Sequence, residues 1–178
     1  MPGAYSDRQH DVNLTVRPAR SPAGESFTHL VLEVAWLGGL FTAAGESLAR
    51  LADQTLARWI VLDAVADQPA TVAQVARRRG IARQAVQRVA DLLVRDGLAV
   101  YLPNPADRRA QLLQPTSRGR DVLHTISVAQ KAWADALGAE IGEAKLNQLA
   151  ADIAWVRQAV GARPLPGPGR RRRSGTAA

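Results

Sequence analysis

The clearest alternation of apolar and polar positions lies in residues 82–96, near the middle of the chain. Val86, Val89 and Leu93 recur there at three- and four-residue steps, so they share one face of a helix. Gly97 follows at once, at the position where a glycine commonly ends a helix. The pattern therefore predicts an amphipathic helix with one buried face.

The same helix carries polar residues on a different face. Arginine and glutamine side chains can make bidentate contacts with the edges of guanine and adenine in DNA. An exposed face of this composition is also typical of a surface that meets only solvent, and the helix alone leaves both interpretations open. The residues of this face are Arg83, Gln84, Gln87 and Arg88.

A hairpin is predicted directly after this helix. Residues 98–102 are suited to a strand, residues 103–107 to a turn, and residues 111–113 to a returning strand. Arg108 and Arg109 lie beside the turn. A basic helix joined directly to a basic hairpin is typical of a winged helix-turn-helix, in which the hairpin is called the wing.

Two shorter helices are predicted before the basic helix. The first spans about residues 54–66 and is followed by a turn at 67–70. The second begins at Thr71, which has Gln74 three residues later in a capping-box pattern, and it ends at Gly80. This second helix, its terminal turn and the basic helix together form the predicted helix-turn-helix.

Apolar residues at heptad-like spacing occur toward both ends of the chain. They form one seam within residues 30–48 and another within 146–160. A further long helix is expected from Thr116, its predicted N-cap, to about Glu140, with a break at 141–143. The seams are either core within one chain or the contact between two copies. Because long helices on a small winged domain would leave apolar surface exposed, we expect a homodimer.

The predicted fold is mainly α, with about six helices and a small antiparallel hairpin wing. Both ends of the chain are rich in Pro, Gly and polar or basic residues and lack periodicity, which is typical of disorder. The predicted boundaries are a flexible arm at 1–26, a dimerisation helix at 27–53, the winged helix-turn-helix at 54–115, dimerisation helices at 116–161, and a disordered basic tail at 162–178 that contains four consecutive arginines at 170–173.

Positive charge is concentrated around the predicted helix-turn-helix and wing. The chain carries a net charge of +7, and residues 71–120 alone carry +7, from ten arginines and three aspartates. Residues 1–70 carry −3 and residues 121–178 carry +3. A basic block in a chain that is otherwise near neutral indicates a binding site for a polyanion.

Several kinds of chemistry find no support in the residues. The chain has no cysteine, which removes disulfides, thiolate metal sites and thiol redox sensing. None of His10, His29 and His124 has another ligand at metal-binding spacing. Nucleotide-binding glycine loops and nucleophile motifs are absent from the sequence. We therefore expect neither an enzyme nor a cofactor or metal.

The sequence also gives expectations about location. We expect no membrane-spanning segment, on the view that no apolar run reaches the length of a span. The first residues have neither the basic nor the apolar region of a secretory signal. A cytoplasmic protein without a membrane partner is therefore expected.

Several segments between residues 56 and 123 resemble the MarR family of bacterial transcription regulators. The most specific are Asp107-Arg108-Arg109-Ala110 at the wing and Thr116-Ser117-Arg118-Gly119-Arg120 after it. With the flanking helices, the resemblance extends from about residue 27 to residue 161. The other matching segments are 59–62, 71–76, 86–93 and 97–98.

The resemblance implies a homodimer whose terminal helices intertwine, with recognition helices in successive major grooves and wings in adjacent minor grooves. It implies that Asp107 buttresses the wing and that Arg109 enters the minor groove. Many members are repressors that release DNA when a small aromatic or anionic ligand binds between the dimerisation helices and the winged domain. The chain departs from the family pattern at two positions. Ala82 stands where a Ser or Thr N-cap is usual, and Pro115 stands where an apolar strand residue usually precedes the threonine, here Thr116.

The function predicted from these features is that of a sequence-specific, dimeric DNA-binding transcription regulator, a repressor relieved by a small molecule. Its DNA is expected to be a pseudo-palindromic duplex. One alternative is an architectural protein that binds DNA with little sequence preference. Another is the winged-helix dimerisation module of an enzyme, which we do not expect because only a short tail follows residue 161.

Candidate site residues follow from the same features. Trp36, Phe41 and Trp59 have the flat apolar side chains that suit an inter-domain pocket for an effector, and the alternative is that they are plain core. Asp107 is the candidate support of the wing. The candidate DNA-binding residues are Thr71, Arg83, Gln84, Gln87, Arg88, Arg108 and Arg109.

Overall fold

A computed structural model describes residues 19–163 of the chain. Most of the predicted arm and nearly all of the predicted tail, with the arginines at 170–173, lie outside the described residues. The described part has six helices and a small antiparallel sheet, which confirms the predicted fold class. The elements are α1 (Pro22–Arg50), α2 (Leu56–Asp63), β1 (Ala70–Thr71), α3 (Val72–Arg79), α4 (Arg83–Arg95), β2 (Ala99–Leu102), β3 (Leu112–Pro115), α5 (Ser117–Ile141) and α6 (Glu143–Gly161).

The described part of the chain divides into two compact units, the first ending at Gly45 and the second beginning at Glu46. Most of α1 belongs to the first unit, where it begins at Pro22 and not near the predicted boundary at residue 27. The Ser21 hydroxyl oxygen accepts a hydrogen bond from the backbone N–H of Gly24 at 3.1 Å. Serine before a helix, with proline at its first position, is a favourable helix start. The helix therefore includes the last five residues of the predicted arm.

The composition of α1 corrects a second expectation. This 29-residue helix contains an 18-residue window with a mean hydropathy of 1.4, so by length and composition it could cross a bilayer. The length of this apolar segment was underestimated from the sequence, because apolar residues lie all around α1 and not only on its heptad seam. Core helices of soluble proteins meet the same criterion. The exposed apolar residues of α1 are Phe27, Leu30, Val31, Leu32, Val34, Trp36, Leu37, Leu40 and Phe41.

In the second unit, helices α2, α3 and α4 surround one hydrophobic core. Leu62 of α2, Val75 of α3, and Val86 and Leu93 of α4 are almost completely buried. Leu113 of β3 is buried in the same cluster. The amphipathic pattern of α4 therefore predicted its buried face correctly, and this packing fixes which side chains of α4 remain outside.

The turn between α3 and α4 is held by local interactions. Thr71 and Gln74 form the predicted capping box, with the Gln74 N–H donating to the Thr71 hydroxyl at 3.2 Å and the Thr71 N–H donating to the Gln74 side chain at 2.8 Å. Gly80 ends α3 with φ +65°, a left-handed conformation that favours glycine. Ala82 precedes α4 and offers no side-chain cap.

The wing belongs to a three-stranded sheet and is not an isolated hairpin. Strand β3 is central, with β1 on one side and β2 on the other, and both pairings are antiparallel. Ala70 pairs with Leu113, and Thr71 pairs with Leu112. From the sequence, Ala70 was assigned to a turn and Thr71 to the start of a helix. A strand of two residues is too short to show the alternation of apolar and polar positions that identifies a strand.

Two helices follow the sheet. Pro115 is the last residue of β3. Thr116 caps α5 as predicted, since its hydroxyl oxygen accepts a hydrogen bond from the Gly119 N–H at 3.1 Å. Gly142, with φ +91°, separates α5 from α6 within the predicted break.

Candidate nucleic-acid interface

Helix α4 presents a polar surface opposite its buried face. Arg83, Gln84 and Arg88 are all exposed. Within residues 19–163, none of their side chains has a hydrogen bond or an ion pair. Guanidinium and amide groups that have no protein partner are available for an external hydrogen-bonding surface. The structure therefore leaves three of the four predicted residues of this face free for a ligand.

Helix α3 adds arginines that the sequence analysis counted only as charge. Arg77, Arg78 and Arg79 occupy its last turn, where the helix dipole favours cations. Arg79 is engaged by Asp63, with 2.6 Å between the nitrogen and the carboxylate oxygen. Arg77 instead borders an open hollow at the α3–α4 turn, together with Arg83. Two guanidinium groups beside one hollow are suited to a phosphate oxygen.

Gln87 differs from the other residues of the α4 surface because it is half-buried and has partners. Its side-chain nitrogen Nε2 donates to Asp91 Oδ1 at 2.9 Å and to the Tyr101 hydroxyl at 2.8 Å. The Tyr101 hydroxyl donates to the same Asp91 oxygen at 2.9 Å. The two hydrogen bonds that involve Tyr101 join α4 to strand β2, and the third lies within α4. The sequence did not reveal the Tyr101 contacts, because residues in different elements carry no shared spacing pattern.

Tyr101 is held in its protonated form by its surroundings. Burial of the ring, followed by the hydrogen bond to Asp91 and the charge of that carboxylate, together raise the pKa of its hydroxyl to about 12. The phenol therefore keeps its proton across the physiological pH range. It remains a donor to Asp91 and an acceptor from Gln87.

The tip of the wing is ordered by two side chains that accept hydrogen bonds from nearby backbone. The Asp107 carboxylate accepts from the Arg109 N–H at 2.9 Å, and Asn104 Oδ1 accepts from the Ala106 N–H at 3.1 Å. The first of these hydrogen bonds joins Asp107, the candidate support of the wing, to the backbone of the tip. Arg108 and Arg109 are exposed, and their guanidinium groups have no partner within residues 19–163.

The base of the wing is fixed by the start of α5. The Thr116 hydroxyl donates to the carbonyl oxygen of Gly97 at 2.7 Å while it caps α5. Gly119 lies against Leu98, and a Cβ on this glycine would come within 2.0 Å of the Leu98 carbonyl oxygen. The Thr-x-x-Gly pattern noted in the sequence therefore has a structural cause. It lets α5 pack directly on the corner between α4 and β2.

A second polar cluster holds the C-terminal end of α4. Asp96 accepts a hydrogen bond from Arg95 at 2.9 Å and one from Arg58 of α2 at 2.8 Å. The hydrogen bond from Arg95, followed by that from Arg58, lowers the pKa of Asp96 to about 2. The carboxylate is therefore ionised at neutral pH and ties α4 to α2.

Thr71 does not share the exposure of the other predicted DNA-binding residues. Its exposed fraction is 8%, it pairs with Leu112 in the sheet, and its hydroxyl belongs to the capping box with Gln74. Little of the side chain is left for an external contact. The geometry therefore places Thr71 in the support of α3, and a contact of its side chain with DNA stays a prediction.

The three predicted effector residues lie in different environments. Trp59 is half-buried and packs against the core of the second unit, as the plain-core alternative predicted. Trp36 is 80% exposed and Phe41 is 54% exposed, so neither is a core residue in this structure. An apolar hollow of about 240 Å³ occurs elsewhere in the second unit. Its lining residues are Glu46, Leu56, Ala57, Ile60, Val61, Ile81, Ala85, Val86 and Val89.

Comparison with known proteins identifies the helix-turn-helix and wing region. The model of the MarR family matches residues 52–110. The uncharacterized protein Rv2011c of Mycobacterium tuberculosis is 45% identical over 103 residues, which cover 58% of this chain and 72% of the relative.

Solved structures share the fold at lower identity. The Staphylococcus aureus MarR in complex with salicylate and kanamycin has a TM-score of 0.68 and 14% identity, over 79% of this chain and 95% of that chain. Streptococcus pneumoniae FabT in complex with DNA has a TM-score of 0.63 and 16% identity, over 76% of this chain and 97% of that chain. The chain therefore belongs to the MarR family of winged helix-turn-helix transcription regulators, a family of DNA-binding proteins that are typically homodimers.

Proposed function

We propose that this protein is a cytoplasmic homodimer that binds a pseudo-palindromic operator and represses transcription until a small molecule releases it. The observation that carries the proposal is the exposed face of α4 formed by Arg83, Gln84 and Arg88, whose side chains have no partner within residues 19–163. The exposed wing arginines, Arg108 and Arg109, are likewise without a partner in that part of the chain. A structural neighbour, the FabT of Streptococcus pneumoniae, was solved in complex with DNA, which supports the same use of this fold here.

Two classes of contact are assigned within this interface. Gln84, Gln87 and Arg88 are the proposed readers of base edges, because their side chains suit the major-groove pattern of donors and acceptors. Arg108 and Arg109 are proposed to contact the sugar–phosphate backbone of the DNA and to enter its minor groove. Narrow A·T-rich segments concentrate negative potential in that groove. Base contacts set the sequence preference, and phosphate contacts set the register and most of the salt dependence.

The homodimer is supported by apolar surface that one chain leaves uncovered. On α6, Leu149, Ile153 and Val160 are about half exposed although they lie on one heptad seam. On α1, apolar residues are exposed along most of the helix. Burial of such surface against a second copy is favourable at roughly 25 cal/mol per Å². We therefore interpret α1 as a dimerisation helix and not as a membrane span.

The apolar hollow of the second unit is the proposed effector site. Ala85 and Val89 bring the inner side of α4 to the hollow, so an occupant would press on the helix that reads DNA. Glu46 places a carboxylate at the same hollow, which disfavours an anion. The Staphylococcus aureus neighbour was solved with salicylate. For this chain, the apolar lining and the carboxylate favour a neutral aromatic effector.

Sequencing of genomic fragments retained by the purified full-length protein tests the proposal. The expected result is recovery of a few fragments that share one dyad-symmetric motif and that remain bound when excess unrelated DNA is added. Recovery of fragments without a common motif would instead assign the protein to the architectural class. A variant in which Arg83, Gln84 and Arg88 are all alanine is the control, because it removes free side chains and leaves the buried face of α4 intact.

A further inference from the structure

The three hydrogen bonds among Gln87, Asp91 and Tyr101 form a closed triangle. Its sides are 2.9 Å from Gln87 Nε2 to Asp91 Oδ1, 2.8 Å from Gln87 Nε2 to the Tyr101 oxygen, and 2.9 Å from that oxygen to Asp91 Oδ1. Each distance lies in the range of an ordinary hydrogen bond. The triangle lies beside the unpartnered residues of the α4 surface, and Gln87 is one of the proposed base readers.

The orientation of the Gln87 amide follows from its partners. An ionised carboxylate can only accept hydrogen bonds, so both groups that face Asp91 must be donors. The amide atom facing Asp91 is therefore the nitrogen and not the oxygen. The single phenolic hydrogen of Tyr101 is directed at Asp91, which leaves the phenol oxygen to accept from Gln87.

We assign one hydrogen of Gln87 Nε2 to Asp91 and the other to Tyr101, since the nitrogen donates to both. This assignment uses every donor of the side chain, and the amide oxygen Oε1 accepts no hydrogen bond within the described part of the chain. A glutamine with both hydrogens engaged cannot make the usual bidentate contact with adenine, since that contact needs a donor for N7 and an acceptor for N6. Only the acceptor remains available.

We infer that Asp91 and Tyr101 are positioning residues that fix the Gln87 amide so that it meets DNA as an acceptor only. This inference rests on the proposed function. The base that Gln87 faces must then carry an exocyclic amino group in the major groove, which adenine and cytosine have and which guanine and thymine lack. Guanine and thymine present O6 and O4 to the same space, and these acceptors would meet the acceptor Oε1.

Selection from a randomised duplex library tests this inference with the wild type, three variants of the triangle and one control variant. The full-length wild type is compared with the Gln87→Ala, Tyr101→Phe and Asp91→Asn variants, and the enriched sequences are aligned position by position. The wild type should enrich adenine or cytosine at one position of each half-site. Gln87→Ala should reduce the preference at that position by about fivefold, the effect of one ordinary hydrogen bond, and leave the other positions unchanged.

Tyr101→Phe removes one oxygen and keeps the ring, so it frees one hydrogen of the Gln87 amide. Guanine and thymine should then be admitted at the same position and at no other. Asp91→Asn keeps an oxygen that can accept from Gln87, so it should retain most of the wild-type preference. Val100→Ala is the control within β2, because this side chain is exposed and makes none of the three hydrogen bonds.

Three results would overturn the inference. They are a wild-type preference for guanine or thymine at the position that Gln87→Ala relaxes, an unchanged preference in Tyr101→Phe, and a uniform loss of affinity in Tyr101→Phe without any change in preference. The last result would show that the triangle only stabilises the fold.

The inference and the proposed function fail in distinguishable ways. If the wild type enriches no sequence at all, both fail. Nuclear magnetic resonance of the free protein then reports on the triangle itself. Slow solvent exchange of the Gln87 amide hydrogens that is lost in Tyr101→Phe would support the triangle, and fast exchange in the wild type would rule it out.

Discussion

The backbone of Leu98 occupies the space that a side chain on Gly119 would need. A Cβ on Gly119 would lie 2.0 Å from the Leu98 carbonyl oxygen and 3.0 Å from its carbonyl carbon. Backbone atoms cannot move aside as the end of a flexible side chain can. The close approach lets the first turn of α5 pack on the corner between α4 and β2, which determines where the wing is placed relative to α4.

Gly119→Ala should therefore destabilise the fold by about 1–3 kcal/mol, the usual cost of overpacking a tight contact. Gly138→Ala, also within α5, is the matched control, because no atom lies within 4 Å of a Cβ at that position. It should stabilise the protein by roughly 0.5–1 kcal/mol through helix propensity. Chemical denaturation of both variants measures the difference, and equal effects at the two glycines would refute the steric explanation.

Local patterns were sufficient to predict much of this fold. The spacing of Val86 and Leu93 identified the buried face of α4, and the pairing of Thr71 with Gln74 identified the start of α3. Gly80 marked the turn between the two helices. Each of these features is set by residues within one element or its caps, so the chain itself carries the information.

Features that depend on distant residues could not be predicted. Strand β1 exists because Ala70 pairs with Leu113, and two residues show no pattern of their own. Tyr101, one partner of Gln87, belongs to β2 and not to α4, so the half-buried state of Gln87 was not foreseen. The early start of α1 is a different case, because Ser21 before Pro22 is a local signal that the sequence analysis did not use.

At the wing, Arg109→Ala should weaken DNA binding, relax the preference for A·T-rich flanks and reduce the slope of log affinity against log salt by about one. The physical reason is the loss of a free guanidinium group at the exposed tip. The unfolding temperature should barely change, since no contact of this side chain is lost within the described residues. Arg157→Ala on α6 removes the same charge from an exposed position and is the control for affinity measured by fluorescence anisotropy.

Asp107→Ala gives a test in which charge and geometry predict opposite signs. Removal of a negative charge should by itself tighten binding to DNA. Loss of the hydrogen bond from the Arg109 N–H should loosen the wing tip and weaken binding. We expect the second effect to dominate and the affinity to fall. Tighter binding by this variant would mean that simple charge controls the wing.

The ion-pair cluster at Asp96 predicts a pH dependence of stability. Since Arg95 and Arg58 lower the pKa of this carboxyl to about 2, it contributes stability that is fully present above the unfolded value near 4. That stability should be lost as the pH falls from about 4 to about 2. Denaturation midpoints measured between pH 5 and pH 2 should converge for wild type and Asp96→Asn. Asp67→Asn, at an exposed aspartate that forms no ion pair within the described residues, is the control variant.

The dimer prediction concerns the exposed seam of α6. Sedimentation of the full chain should give twice its mass of 19.1 kDa at micromolar concentration. Ile153→Asp places a charge on a side chain that is 48% exposed in one chain, and it should shift the protein toward monomer because burial of an unpaired charge is unfavourable. Gln158→Asp adds the same charge at a polar position of α6 and should leave the dimer intact. A folded monomer in the wild type would contradict the prediction.

The central claim is that the free face of α4 gives this protein sequence-specific DNA binding as a dimer. The most direct test is the ratio of affinities for a dyad-symmetric duplex recovered by selection and for a scrambled duplex of the same length and composition, at one physiological salt concentration. We expect two protomers per duplex, half-sites about one helical turn or roughly 34–36 Å apart, and a preference of about a thousandfold or more. Arg88→Ala should lower this preference by about 1–3 kcal/mol. Equal affinity for the two duplexes would contradict sequence-specific binding.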